Sequence, residues 1–260
     1  MAGKLETLIR DLRLRRGRER RGLALAEGVR LVEEALAAGI SIRCAADSPH
    51  LEASARGGAL KASLAARGVA LTALEDRALA ELADTDHPQG VIAVVEPPRW
   101  GWEQLRPDRG GAVVALDAVQ DPGNVGTILR TAQALGAAGV VALKGTAELH
   151  NPKVLRGSMG ALFRLPAFSA PEEELLSWLA ATGVDLWLAA TDGVPADALP
   201  PRSPARTPLC LVMGNEGAGV SPALSARARR RVAIPLAGRA DSLNVAVAAG
   251  ILLYEVLRER

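Results

Sequence analysis

Rings are scarce in this chain: four Trp, two Phe and one Tyr among 260 residues. That argues against RNA-binding modules that stack successive bases on aromatic side chains. Apolar residues still make up 49% of the chain, so a sizeable core must be built from Ala, Val and Leu. Only two cysteines occur, Cys44 and Cys210, far apart and each within an apolar run. They read as small buried hydrophobes in a reducing cytosol. The three histidines, His50, His87 and His150, are isolated, and no Cys/His cluster has ligand spacing, which predicts no metal. Long apolar runs are missing too: the longest, Val245 to Tyr254, is too short to span a bilayer. The N-terminus lacks the apolar stretch of a secretory signal. These absences together predict a soluble, cytoplasmic protein with no membrane contact.

The net charge of +2 excludes little, but seven arginines lie between Arg10 and Arg21 against Asp11 and Glu19. Such a run is commonly a solvated helix face, and a phosphate or nucleic-acid contact has equal weight on the run alone.

Asparagine is nearly avoided. The four present are Asn124, Asn151, Asn215 and Asn244, each at a predicted strand-to-helix junction or loop of the second half. Asn is favoured at caps and turns, which accounts for one or two of them. All four beside Gly-rich loops point to a site.

The first ninety or so residues read as a compact α/β unit. Leu5, Leu8, Ile9 and Leu12 predict a short amphipathic helix. Helices follow at 27–38, 59–67 and 75–83, with strands at 40–46, 69–74 and 91–95. Pro97-Pro98 and the polar stretch with Trp100 and Trp102 set a boundary: residues 1–96, a linker 97–110, and 111–260. The tryptophans are expected to pack the linker against one domain. Beyond it, strands at 112–116, 139–143, 184–190, 208–213 and 231–235 alternate with helices at 124–135, 151–158, 171–182, 221–229 and 242–258. That alternation predicts an α/β fold, a mainly parallel sheet with helices on both faces.

Three stretches of this second part carry candidate chemistry. In Leu116–Leu135 a strand breaks at Pro122-Gly123 and a helix opens with Asn124 as its expected N-cap. Arg130 follows less than two turns later, near the strand tips where α/β sheets bind ligands. The loop Met213-Gly-Asn-Glu-Gly-Ala-Gly219 follows another strand. It has neither a P-loop ending nor dinucleotide-binding spacing, so a phosphate-cradling nucleotide site is not expected. The third stretch runs from Val232-Ala-Ile234-Pro-Leu236 to Ser242-Leu243-Asn244. There Ser242 or Asp241 is expected to cap the closing helix, with Asn244 in its first turn.

In order and spacing, Asn124-x-Gly126-x-x-x-Arg130, the Met213–Gly219 loop, and Ile234-Pro-Leu with Ser242-Leu243-Asn244 resemble the three motifs of the SpoU (TrmH-type) RNA 2'-O-ribose methyltransferases. The segment Asn151–Gly160 resembles the one those proteins carry between the first two motifs. Glu27-Gly28-Val29-Arg30 and Pro88-Gln89-Gly90 resemble the L30e-like substrate-binding domain of rRNA-directed members. The resemblance implies S-adenosylmethionine as cofactor, a C-terminal trefoil knot, a homodimer through the second domain, and 2'-O-methylation of an RNA ribose, in 23S rRNA. Methylation of tRNA, or a non-catalytic RNA-binding or assembly role on the same fold, are the alternatives. By motif, Arg130, Asn124, Glu216, Ser242 and Asn244 would form the reaction centre, with Glu216 anchoring its loop or holding Arg130. Met213, Gly214, Ile234 and Leu243 would contact the cofactor. Arg13, Arg15, Arg16, Arg18, Arg20 and Arg21 would then contact RNA phosphates.

Overall fold

A computed structural model describes residues 2–199, 207–237 and 242–258. It divides into two compact units. The first takes the chain as far as Pro98 together with His150–Arg164, and the second takes Arg99–Leu149 and the chain from Leu165 onward.

The chain opens with α1 (Ala2–Arg13), α2 (Arg15–Arg21), β1 (Ala24–Glu27), α3 (Val29–Ala37) and β2 (Ile42–Asp47). It continues through α4 (Pro49–Glu52), α5 (Ala55–Ala66), β3 (Ala70–Ala73), α6 (Asp76–Leu82) and β4 (Val91–Val95). The four strands form one sheet in the order β1-β4-β2-β3, with β2 and β3 parallel and the other pairs antiparallel. The apolar run of β4 is buried along its whole length, as suits an interior strand with both faces covered. Leu5, Ile9 and Leu12 form the buried stripe of α1 that their helical spacing predicts, and pack with Leu25, Ile92 and Val94.

The second part runs β5 (Ala112–Leu116), α7 (Pro122–Ala134), β6 (Gly139–Ala142), α8 (Pro152–Ser158), β7 (Ala167–Ser169), α9 (Glu172–Thr182) and β8 (Asp185–Pro195). It ends with β9 (Leu209–Met213), α10 (Pro222–Arg227), β10 (Arg230–Ala233) and α11 (Val245–Leu257). Six strands make an all-parallel sheet in the order β10-β8-β9-β5-β6-β7. Its core holds Val113, Ala115, Val141, Leu186, Leu188 and Val212, with Leu175 and Leu179 of α9. Cys210 sits in that core, and burial pushes its thiol up to about 12, so it behaves as an inert apolar residue. Trp102 stacks on Trp178 at 5.6 Å and meets Phe168 edge-on, which fixes the residues after Pro98 to this unit.

Several expectations need correcting. β1 was not expected: Ala-Leu-Ala-Glu is a run of helix formers, and sheet pairing with β4 overrides that local preference. The helix expected from Glu27 begins only at Val29, after Gly28. The three-residue β7 carries too little pattern to be read, and β8 runs on to Pro195. The segment around α8, placed by sequence in the second domain, packs with the first unit. Arg164 pairs with Glu34 at 2.7 Å and Arg156 with Asp84 at 3.2 Å, and α8 lies against β1.

Candidate active site

The helix α7 starts two residues earlier than its sequence suggests. Asp121 is the N-cap, its carboxylate accepting from the Asn124 amide at 2.7 Å, and Pro122 occupies the first turn. Proline suits that position because its missing N–H would have had no partner there. Reading Pro122-Gly123 as a break therefore displaced the cap onto Asn124. Freed from capping, the Asn124 side chain makes two other bonds. Its Nδ2 donates to Glu216 Oε1 at 2.9 Å, and its Oδ1 accepts from Asn244 Nδ2 at 2.9 Å.

The closing helix is shifted the other way. Asn244 is the N-cap of α11, with Oδ1 accepting from the amides of Ala246 and Val247 at 2.9 and 3.3 Å. Ser242 lies exposed ahead of it, and Asp241 falls outside the described residues. Three stretches distant in sequence are thus tied by one hydrogen-bonded chain, Asn244 to Asn124 to Glu216.

The loop after β9 is built by Asn215. Its Oδ1 accepts from the amides of Gly217 and Ala218 at 2.9 and 2.8 Å, while its Nδ2 donates to the Ala118 carbonyl at 2.9 Å. Asp117, itself buried, accepts from the Ser221 amide at 2.7 Å and holds the far end of the loop. Gly214 is required by closeness: a Cβ there would lie 2.5 Å from the Gly219 carbonyl carbon and 2.8 Å from Val220 Cγ2. Asn151 does not join the site; it caps α8, in the segment that packs with the first unit.

Beside this loop opens a cleft of about 960 Å³. It is lined by Leu188–Thr191 of β8, the loop from Met213 to Val220, Arg231 to Leu236, and Ser242, Leu243, Val245 and Leu252. All four residues expected to contact a cofactor, Met213, Gly214, Ile234 and Leu243, therefore meet on one wall system, with Glu216 and Ser242. The β8 contribution was not foreseen, because an apolar strand carries no sign of which end faces a ligand. Arg231 pairs with Asp192 at 2.7 Å and its hydrogen bonds hold that carboxyl below the usual range.

Arg130 lies on the exposed face of α7 and is not among the cleft-lining residues. Glu216 does not hold it: that carboxylate accepts from Asn124 instead, and the Arg130 guanidinium has no hydrogen bond or ion pair among the described residues. Among the described residues, no group of three or more His, Cys, Asp or Glu could hold a metal ion.

The arginine run is largely committed inside its own unit. Arg18 is buried and donates to the carbonyls of Leu12 and Arg13 at 2.8 Å, so it braces the α1–α2 corner. Arg20 and Arg21 both hold Asp11, at 2.8 and 2.6 Å, and their hydrogen bonds lower its carboxyl. Arg15 pairs with Glu19 at 2.7 Å and Arg13 reaches the Glu81 carbonyl at 3.3 Å. Arg16 is exposed and has no such partner among the described residues.

Comparison with known proteins agrees with this layout. Residues 111–254 match the SpoU rRNA Methylase family, and residues 7–93 match the MRM3-like substrate binding domain. The 23S rRNA (guanosine(2553)-2'-O)-methyltransferase RlmP of Bacillus subtilis is 38% identical over 190 residues, covering 73% of each chain. A crystal structure of AdoMet-bound rRNA methyltransferase from Sinorhizobium meliloti superposes with a TM-score of 0.84 at 34% identity, over 98% of this chain and 95% of that one. The SpoU methyltransferase AviRb from Streptomyces viridochromogenes, in complex with AdoMet, gives 0.83 at 30% identity, over 97% and 96%.

Proposed function

The chain belongs to the SpoU rRNA methylase family, and from that membership we propose that it methylates the 2'-hydroxyl of a ribose in RNA, using S-adenosylmethionine, with 23S rRNA as the substrate. The observation that carries this reading is the cleft in which the two C-terminal motif loops meet, joined through Asn124 to the helix bearing Arg130.

The cleft suits the cofactor. Its walls are backbone-rich at Gly214 and Gly217–Gly219 and apolar at Met213, Ile234, Leu243 and Leu252, a mixture that offers peptide groups to a base and apolar surface to its faces. Gly214 leaves space that a Cβ would fill. When bound there, the cofactor supplies an electrophilic methyl group. Everything else falls to the chain's own residues and the RNA.

A ribose hydroxyl becomes nucleophilic as its proton leaves. A guanidinium is a poor proton acceptor, so Arg130 serves as a cation that stabilises the alkoxide as it develops. An RNA phosphate or water takes the proton. Asn124, held from both sides, positions the start of α7, and Glu216 fixes the glycine loop against it. Ser242 lines the cleft beside Leu243 and supplies a hydroxyl at its mouth.

Asn244 has two separable jobs. Asn244→Ala is expected to lower stability by about 0.5–2 kcal/mol through loss of the cap, seen as a lower urea midpoint. Asn244→Asp keeps the acceptor for the α11 amides but has no donor for Asn124. It should hold most of the urea midpoint while lowering kcat; equal turnover in wild type and Asn244→Asp would show that the link is not used.

We also propose the C-terminal knot, the L30e-like character of the first unit, and a homodimer. The knot is supported by the path of the chain: after β10 at the sheet edge, α11 returns to pack on α7, β5, β8 and β9. The mixed four-stranded α/β layer supports the second. For the homodimer, Val247, Ile251 and Tyr254 project from one face of α11 with exposures of 52%, 38% and 57%. An apolar row of that kind on an otherwise packed helix suits a second copy. Ile251→Asp should shift the species seen by light scattering from dimer to monomer; a wild type already monomeric would rule the dimer out.

The direct test incubates the protein with labelled S-adenosylmethionine and rRNA or tRNA, then maps ribose methylation. Label transfer to rRNA at a 2'-hydroxyl is expected. Transfer confined to tRNA would move the substrate, and transfer to neither would remove the enzymatic reading.

A further inference from the structure

Outside the cleft, the most organised cationic feature is a hollow of about 460 Å³ in the first unit, lined by Val29, Arg30, His50, Ala53, Ser54, Arg56 and Gln89. No carboxylate is among the lining residues. Of the nearby acids, Glu33 pairs with Arg56 itself at 2.5 Å and Asp76 accepts from the His50 amide at 3.0 Å, while Glu52 is engaged with Lys61 at 2.5 Å. Arg30 is exposed and its guanidinium has no hydrogen bond or ion pair among the described residues. Gln89 accepts from the Val29 amide through Oε1 at 2.9 Å, which fixes the side chain and leaves its NH₂ as the polar group still to be used. Arg56 is held by Glu33 through both Nε and Nη2.

The hollow is also rigid underneath. Gly90 passes so close to α4 that a Cβ would sit 2.4 Å from the Leu51 amide nitrogen, and the Ser48 amide donates to the Gly90 carbonyl at 3.0 Å. Its donors therefore stand on a preformed surface, and binding there need not first order a loop.

We propose that this hollow is the main contact of the first unit with the sugar–phosphate backbone of the substrate RNA, through Arg30, Arg56, His50 and Gln89. The inference rests on the RNA-methylating reading above. The Arg30 guanidinium and the Gln89 amide, with no acid paired to either, suit phosphodiester oxygens, and Arg56 would share its guanidinium between a phosphate and Glu33. The arginine run is the contrasting surface. A phosphate there meets Arg16 directly, but to reach the others it must displace Asp11 from Arg20 and Arg21, or Glu19 from Arg15.

The test is retention of deproteinised 23S rRNA by the full chain across a salt series, for wild type, Arg30→Gln/Arg56→Gln, Arg30→Lys, and Arg15→Gln/Arg16→Gln. Calorimetric titration with S-adenosylmethionine runs alongside. The hollow double variant should weaken RNA binding about 10–100-fold and reduce the salt slope by about 1 to 2, with cofactor affinity unchanged. Arg30→Lys should keep most of the affinity, which separates lost charge from lost folding. The variant of the run should change affinity by no more than about threefold. If the run variant loses RNA while the hollow variant keeps it, the assignment is overturned and the run is the contact. Wild type that retains no rRNA would overturn this inference and the RNA-methylating reading together; wild type that binds and methylates, with hollow variants that do so equally well, would overturn this inference alone.

Discussion

Gly214→Val should weaken S-adenosylmethionine binding by roughly 10–100-fold while the protein stays folded. Any side chain at this position places its Cβ within 3 Å of the Gly219 carbonyl and Val220, so the turn from Asn215 to Gly219 must open. That turn is closed by paired hydrogen bonds between Asn215 and Gly219 and by the Asn215 side chain, and opening it moves the cleft wall. Overpacking of this kind typically costs about 1–3 kcal/mol, a loss of roughly 10–100-fold if it falls on binding. Leu243→Ala is the comparison. Leu243 lines the same cleft but is 36% exposed, so truncating it removes contact without distorting a backbone. About three- to tenfold weaker binding is expected there, from roughly 1 kcal/mol of lost apolar contact. Calorimetric titration that ranks the two variants the other way would show that the loop is not the principal wall.

Arg130→Ala should leave cofactor affinity where it is and cut kcat by roughly 10²–10³, the usual consequence of removing one group that stabilises a developing oxyanion. The separation is expected because Arg130 is not among the cleft-lining residues and makes no bond to the glycine loop. Arg130→Lys should recover only part of the rate, since an ammonium presents a point charge where the guanidinium presents a planar fork. Single-turnover rates at saturating cofactor separate this from an effect on binding. Near-normal turnover in both variants, with cofactor binding intact, would remove Arg130 from the reaction.

Much of this was legible in the sequence because the signals are local. Strand β5, strand β9 and the buried run of β4 follow from apolar runs bounded by turns, and Gly214 from a glycine-rich loop after a strand. Helix starts were less legible. Asp121-Pro122 and Asn244 cap α7 and α11, and proline in a first turn looks the same on paper as proline ending a segment. The long-range partners of Asn124 could not be read from local pattern. Asn124 meets Glu216 and Asn244 across 92 and 120 residues, and nothing in local periodicity encodes so distant a meeting. The internal partners of the arginine run were hidden for a related reason: composition reports charge, while the bonds to Asp11 and to the carbonyls of Leu12 and Arg13 appear only in the fold.

The return of His150–Arg164 to the first unit has a consequence for the order in which the molecule is made. Domains of a growing chain generally fold from the N-terminal end as they emerge from the ribosome. Here the first unit lacks α8, and with it Arg156 and Arg164, until β5, α7 and β6 have already been synthesised. The carboxylates of Asp84 and Glu34 wait for their arginines through that interval. The last segment of the N-terminal unit is therefore synthesised only after two neighbouring strands of the parallel sheet, β5 and β6.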